Sequence, residues 1–171
     1  MKRPEIEKER KMILKMRDMH EKDVVKKILH YAIRYAGSKI LVVGRSYEKL
    51  RIQIMLPLMR VMPNRIYRED YKHGEICICN GSRILFRSVH SDEEAGRKCG
   101  GWNIDSVFCD EDILTGYESD EILFRLKTRL RGTRFPLRFY IGAEEVKLSA
   151  DGGDTDPETE SEAAAVPEKQ A

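Results

Sequence analysis

A three-layer α/β sandwich with a mainly parallel sheet is the fold this 171-residue sequence predicts. Three observations carry that reading. Short, mainly apolar runs over residues 39–44 and 104–109 have the composition of strands buried on both faces. Segments of helical period alternate with them, as helical crossovers between parallel strands require. A third pair of runs, 76–80 and 83–89, is joined by Asn80 and Gly81, the dipeptide most diagnostic of a β-hairpin.

In chain order, residues 4–36 read as helix, with a break near His20. Apolar residues Val24, Val25, Ile28, Leu29, Ala32 and Ile33 recur at three- and four-residue spacing, and Gly37 is placed to stop the helix. The strand 39–44 follows, then a helix capped by Ser46 and running to about Met62, with a kink expected at Pro57. After the hairpin, residues 91–101 read as a loop or short helix. Strand 104–109, a helix over 119–130 and a last strand over 136–141 complete the body. From about Ser149 the composition turns to Gly, Asp, Glu, Thr, Ser, Pro and Ala. Too little apolar surface remains there to offset the entropy of ordering, so 149–171 is expected to be a disordered acidic tail on a 1–148 domain.

The net charge of +2 conceals an asymmetry: residues 151–171 hold seven acids and one base, which leaves the body near +8. A basic body suits contact with a polyanion. The charged N-terminus fits no secretion signal, and no apolar run reaches membrane-spanning length. Four cysteines without a framework spacing suggest an intracellular, reduced protein. Zinc binding by Cys77 and Cys79 with His73, His90 or Cys99 is the weaker reading. The two cysteines alternate with Ile76 and Ile78 as strand residues do, and the doubled ligand pair of a closed zinc site is missing.

The most informative segment runs from Gly101 to Glu111, where Val107, Phe108 and Cys109 lead into the adjacent carboxylates Asp110 and Glu111. A buried strand delivers an acid pair to a sheet edge in this way. It resembles the Walker B element of P-loop nucleotide hydrolases, in which the Asp holds magnesium and the Glu polarises the attacking water. The order of motifs widens the resemblance. Residues 37–51 resemble the second strand and following helix of phage terminase large-subunit ATPase domains. Residues 80–88 resemble their NGSxIxFRS hairpin, and 101–111 their RGxxxDxxxxDE segment. Residues 125–134 with 139–142 resemble the helix and strand that lead to their coupling motif.

The resemblance covers roughly residues 22–143 and implies a P-loop (ASCE) sandwich with one inserted hairpin, acting in viral DNA packaging in a host cytoplasm. It implies ATP and Mg2+ as cofactors, with Glu111 catalytic, Asp110 on the metal, and Lys22 toward the phosphates. Arg45, just after the strand 39–44, could reach a phosphate or a neighbouring subunit, although a plain surface arginine is the commoner reading at a strand end. Double-stranded DNA and other terminase or portal subunits would be partners. Two departures accompany it. No glycine precedes Gly37, so residues 16–23 cannot form the backbone nest of a phosphate-binding loop, and Lys22 or His20 stands near the family's Lys. Residues 142–144 lack the Ser, Thr and Asn of the coupling motif, and nothing supplies the carboxylates of a nuclease domain. Weak or absent ATP hydrolysis by the chain alone is therefore expected.

The alternative is a non-catalytic nucleic-acid or packaging-complex binding module, its contacts made by Arg125, Lys127, Arg129, Arg131 and Arg134. Against it stands a solvated helix face balanced by Glu118, Asp120 and Glu121. A split-gene fragment without an independent role is the blandest reading. Trp102 could stack on a base but suits a packing anchor better, and the four histidines suggest no catalytic partner.

Overall fold

The computed structural model describes residues 23–148 except Arg65, Tyr71 and Trp102. The expected helix over 4–22, Lys22 and His20, the Trp102 anchor and the acidic tail lie outside the described residues.

Helix α1 (Val24–Arg34) begins at Asp23, whose carboxylate accepts the Val25 N–H at 2.9 Å. It buries Val25, Ile28, Leu29, Tyr31 and Ala32 and ends ahead of Gly37, where φ of +85° suits glycine alone. Strand β1 (Lys39–Gly44) leads to the Ser46 cap, whose Oγ accepts the Lys49 N–H at 3.3 Å. The next helix comes in three parts: α2 (Tyr47–Leu50), a π-turn (Arg51–Met55) and α3 (Leu56–Val61). The expected irregularity thus lies one turn ahead of Pro57. Proline has no N–H and crowds the carbonyl four residues back, and the widened turn sits at that carbonyl.

Strands β2 (Tyr67–Asp70), β3 (Glu75–Ile78) and β4 (Arg83–Ser88) form an antiparallel meander, with Ile76 opposite Ile84 in the predicted hairpin. Helix α4 (Asp92–Lys98) is capped by Ser91. Then come β5 (Ser106–Cys109), a 3-10 turn (Glu111–Thr115), α5 (Ser119–Lys127), β6 (Arg138–Ile141) and β7 (Glu144–Val146).

The described residues form one seven-stranded sheet, in the order β2-β3-β4-β1-β5-β6-β7. Its centre, β4-β1-β5-β6, is parallel, and antiparallel strands flank it on both sides. Alternation along β1 divides the core. Ile40 and Val42 join Ile28, Leu58, Phe86 and Phe108 beneath α1, α2 and α3. Leu41 and Val43 join Val107, Ile113, Leu126 and Phe139 beneath α4 and α5. This is the predicted three-layer sandwich with a mainly parallel sheet.

The strand β2 was not expected: Tyr67–Asp70 shows no apolar alternation because it is an edge strand held mainly through its backbone. Likewise β6 is not the last strand, since β7 folds back on it after a two-residue turn.

The hairpin motif has a structural task. Ser82, fully buried, places Oγ 2.9 Å from Ala32 O and 3.2 Å from Tyr35 O. Asn80 Nδ2 donates to Ala32 O at 2.8 Å. Carbonyls at the end of α1 that the helix itself leaves unpaired are satisfied by the turn, which fixes α1 over the sheet.

Candidate functional site

Parallel strands β1, β5 and β6 end side by side, and the acid pair emerges at that edge. The Asp110 N–H donates to Val43 O at 2.8 Å, and the Gly142 N–H donates to Cys109 O at 2.8 Å. Backbone bonds to both neighbouring strands therefore hold the position of the pair, which limits how far either carboxylate can wander.

Asp110 Oδ1 accepts the Asp112 N–H at 3.2 Å, capping the 3-10 turn, and the Lys49 ammonium at 2.9 Å. The Asp110 side chain is 12% exposed. Its hydrogen bond pushes the Lys49 pKa above the usual lysine value. Glu111 is exposed, with its carboxylate lying over Gly142: a Cβ there would come within 2.7 Å of Glu111 Oε1. Gly142 also has φ of +57°, so both space and backbone favour glycine at this turn.

A cleft of about 510 Å3 opens between this edge and the N-terminal end of α1. Asp23, Lys49, Asp110, Glu111 and Gly142 line it, together with Phe108. Among the described residues, three carboxylates thus face one ammonium. A helix N-terminus ordinarily attracts an anion, but here the Asp23 carboxylate already takes one of the free N–H groups, that of Val25. Sequence reading missed Lys49 and Asp23. Their pairing with the site depends on β1 and β5 being neighbours, a fact about strand order that carries no local signal.

Arg45 is not among the residues lining this cleft. Its guanidinium donates to His90 O at 3.0 Å, Ile113 O at 3.1 Å and Tyr117 O at 2.7 Å. Its own N–H meets the Asp112 carboxylate at 3.1 Å. These bonds lash the end of β1 to the segment after β5.

The basic residues of 125–134 are dispersed. Arg125 makes a bidentate pair with Asp92, both contacts at 2.6 Å, which lowers the Asp92 pKa. Lys127 stands over the Phe139 ring at 5.6 Å, and Arg129 Nη2 donates to Gly96 O at 3.3 Å. Arg131 donates to Thr128 O at 3.0 Å, and Arg134 lies 5.2 Å from the Phe135 ring. Among the described residues, no three His, Cys, Asp or Glu side chains converge on a metal position. Their four cysteines are free thiols, with Cys99 and Cys109 buried. No helix among them is long and apolar enough to cross a membrane.

The fold is a mainly parallel α/β sandwich that carries a carboxylate pair at the end of a central strand. Its structural likeness is to large terminases. The large terminase of a thermophilic bacteriophage matches with TM-score 0.52 and 16% identity, over 68% of this chain and 29% of that one. The same phage protein in complex with ADP matches with TM-score 0.53 and 16% identity, over 68% and 28%. The chain therefore spans less than a third of the terminase it resembles, and at this identity the likeness is one of fold. No family profile and no curated protein matches the sequence.

Proposed function

We propose that this chain is a relative of the terminase large-subunit ATPase domain in viral DNA packaging, with an acid pair of Walker B type and little or no ATP hydrolysis of its own. The observation that carries the reading is the position of Asp110 and Glu111 at the end of β5, across the cleft from the N-terminal end of α1. Phosphates bind at helix N-termini beside such strand edges. The thermophilic phage terminase of similar fold has been seen with ADP.

Two features support weak activity. The Asp23 carboxylate sits where a phosphate would meet the helix, so like charges would have to share the space. Residues 16–23 hold no glycine, whereas a phosphate-cradling nest needs backbone angles that other residues resist.

Magnesium fits this donor set only in company. Mg2+ is commonly held through one or two carboxylates plus substrate phosphates, and Asp110 would be its protein ligand once Lys49 moved aside. The bound ion would neutralise phosphate charge. Glu111, exposed beside Gly142, would orient water and accept its proton, which is worth little unless a phosphate is positioned in front of it. Double-stranded DNA and other terminase or portal subunits in a host cytoplasm are the partners in this reading.

The test follows backbone amide signals of Glu111 and Gly142 while ADP and Mg2+ are added to the full chain. Binding with Kd of about 1 mM or weaker is expected, lost in Asp110→Asn, with ATP turnover no higher than in Glu111→Gln. No change at those amides would overturn the nucleotide-site reading. Turnover abolished by Glu111→Gln would overturn the inactivity.

A further inference from the structure

A second cleft, of about 440 Å3, lies along the flank of α1 against β6 and β7. Its chemistry is opposite to that of the acid cleft. Lys26, His30 and Arg34 form one row along α1 at four-residue spacing, and Lys27, Tyr31 and Tyr35 form the adjacent row. Across from them stand Tyr140 and Arg138 of β6. Among the described residues, the single carboxylate lining the cleft is Glu145, which already receives Arg138 Nη1 at 2.8 Å.

The rings are held before any ligand arrives. The Tyr31 hydroxyl donates to Pro136 O at 2.7 Å. Tyr35 stands 4.7 Å from the Tyr31 ring and 5.6 Å from Phe135. Tyr140 stacks on buried Phe108 at 4.4 Å with 5° between the planes. Fixed rings lose little rotamer freedom when something packs on them. The Arg34 guanidinium is 5.7 Å from the Tyr35 ring, so charge and aromatic surface are presented together.

We propose that this cleft binds single-stranded nucleic acid, with phosphates on the Lys26, His30 and Arg34 row and a base against Tyr35 and Tyr140. Cationic grooves with interleaved aromatic rings hold single strands in this way, because an unpaired strand offers base faces for stacking. A duplex stacks those faces internally and shows only base edges in its grooves. A cleft of about 440 Å3 suits one nucleotide of a strand rather than a double helix. The phosphate-and-base chemistry is shared by a free nucleotide, and the test separates the two. The site uses none of the acid-pair residues, so it stands or falls independently of the nucleotide reading.

Fluorescence anisotropy of a labelled 12-nucleotide oligo-dT, titrated with the full chain at about 50 mM salt, decides the matter. The single strand is expected to bind about tenfold or more tightly than a duplex of equal length, with affinity falling as salt rises. Arg34→Glu should weaken binding about fivefold or more, while the charge-matched Arg97→Glu, outside the cleft, should change it less than about twofold. Both residues are exposed, so the fold is expected to survive either change, and circular dichroism checks this. Equal or tighter duplex binding, equal effects of the two variants, or no binding would overturn the proposal. Displacement of the strand by ATP at matching concentration would overturn it in favour of a mononucleotide pocket.

Discussion

The two clefts share helix α1 and the stacked rings of Phe108 and Tyr140, yet one is acidic and the other basic. The acid cleft collects side chains from distant parts of the chain, because parallel strands bring their C-terminal ends to one edge. The basic cleft draws most of its charge from a single segment, because four-residue spacing lines side chains along one ridge of a helix. The same helix can thus present a carboxylate at its tip and cations along its flank. A polyanion meeting this molecule would be repelled at one and attracted at the other. Overall net charge conceals the difference entirely.

The wall between the clefts is the most sensitive place to break this arrangement. Phe108 lines the acid cleft on one side and stacks on Tyr140 of the basic cleft on the other. Phe108→Ala should cost about 3–5 kcal/mol in chemical denaturation, since it empties a fully buried site. A loss below about 1 kcal/mol would show that the two clefts do not share a packed wall.

Alkaline pH should act on both clefts at once, through a smaller effect. Burial raises the pKa of Cys109, in the acid cleft, and of Tyr31, in the basic one, and it pushes Cys99 up to about 11. A group whose pKa is raised on folding contributes stability below its unfolded value and loses it as pH climbs toward the folded value. The denaturation midpoint should therefore begin to fall above about pH 9, the ordinary thiol value. Cys109→Ala should remove part of that fall, and an unchanged alkaline limb would exclude the buried thiol as its source. The acid limb has the opposite sign. Asp92 is lowered by Arg125 and Asp70 by His73, so their stabilisation is present above about pH 4 and lost as pH falls through the folded values.

The smallest effect sharpens the acid cleft alone. Lys49→Met removes the ammonium that competes for Asp110, so Mg2+ affinity in calorimetric titration should rise a few-fold. Stability should change by no more than about 1 kcal/mol, because the Lys49 side chain is 38% exposed. Unchanged or weaker Mg2+ binding would mean that Asp110 is not where the ion would sit.

Strand β1, the β3–β4 hairpin, the Ser46 cap, the Gly37 stop and the acid pair at the end of β5 were legible in the sequence. Each is set by a local pattern: an apolar run, a turn dipeptide, a capping hydroxyl, or a glycine at positive φ. Edge strands β2 and β7 were not, because polar residues paired through the backbone leave no hydrophobic period to read.

The charged residues divide on the same principle. Arg125 to Arg134 read as one basic stripe in the linear sequence. In the fold, helix and turn geometry sends them to Asp92, Phe139, the Gly96 carbonyl and Phe135. In the linear sequence, Lys26, His30 and Arg34 simply fall between the apolar positions of α1. They become one wall of a cleft only when β6 comes to lie beside them with Tyr140 and Arg138. Local pattern determined which segments would become strands and helices, because burial periodicity and capping act over a few residues. Strand order, and with it the meeting of Lys49 with Asp110 and of α1 with β6, was decided only by tertiary structure, because contacts across 61 residues of separation depend on how the elements pack rather than on any neighbouring pattern.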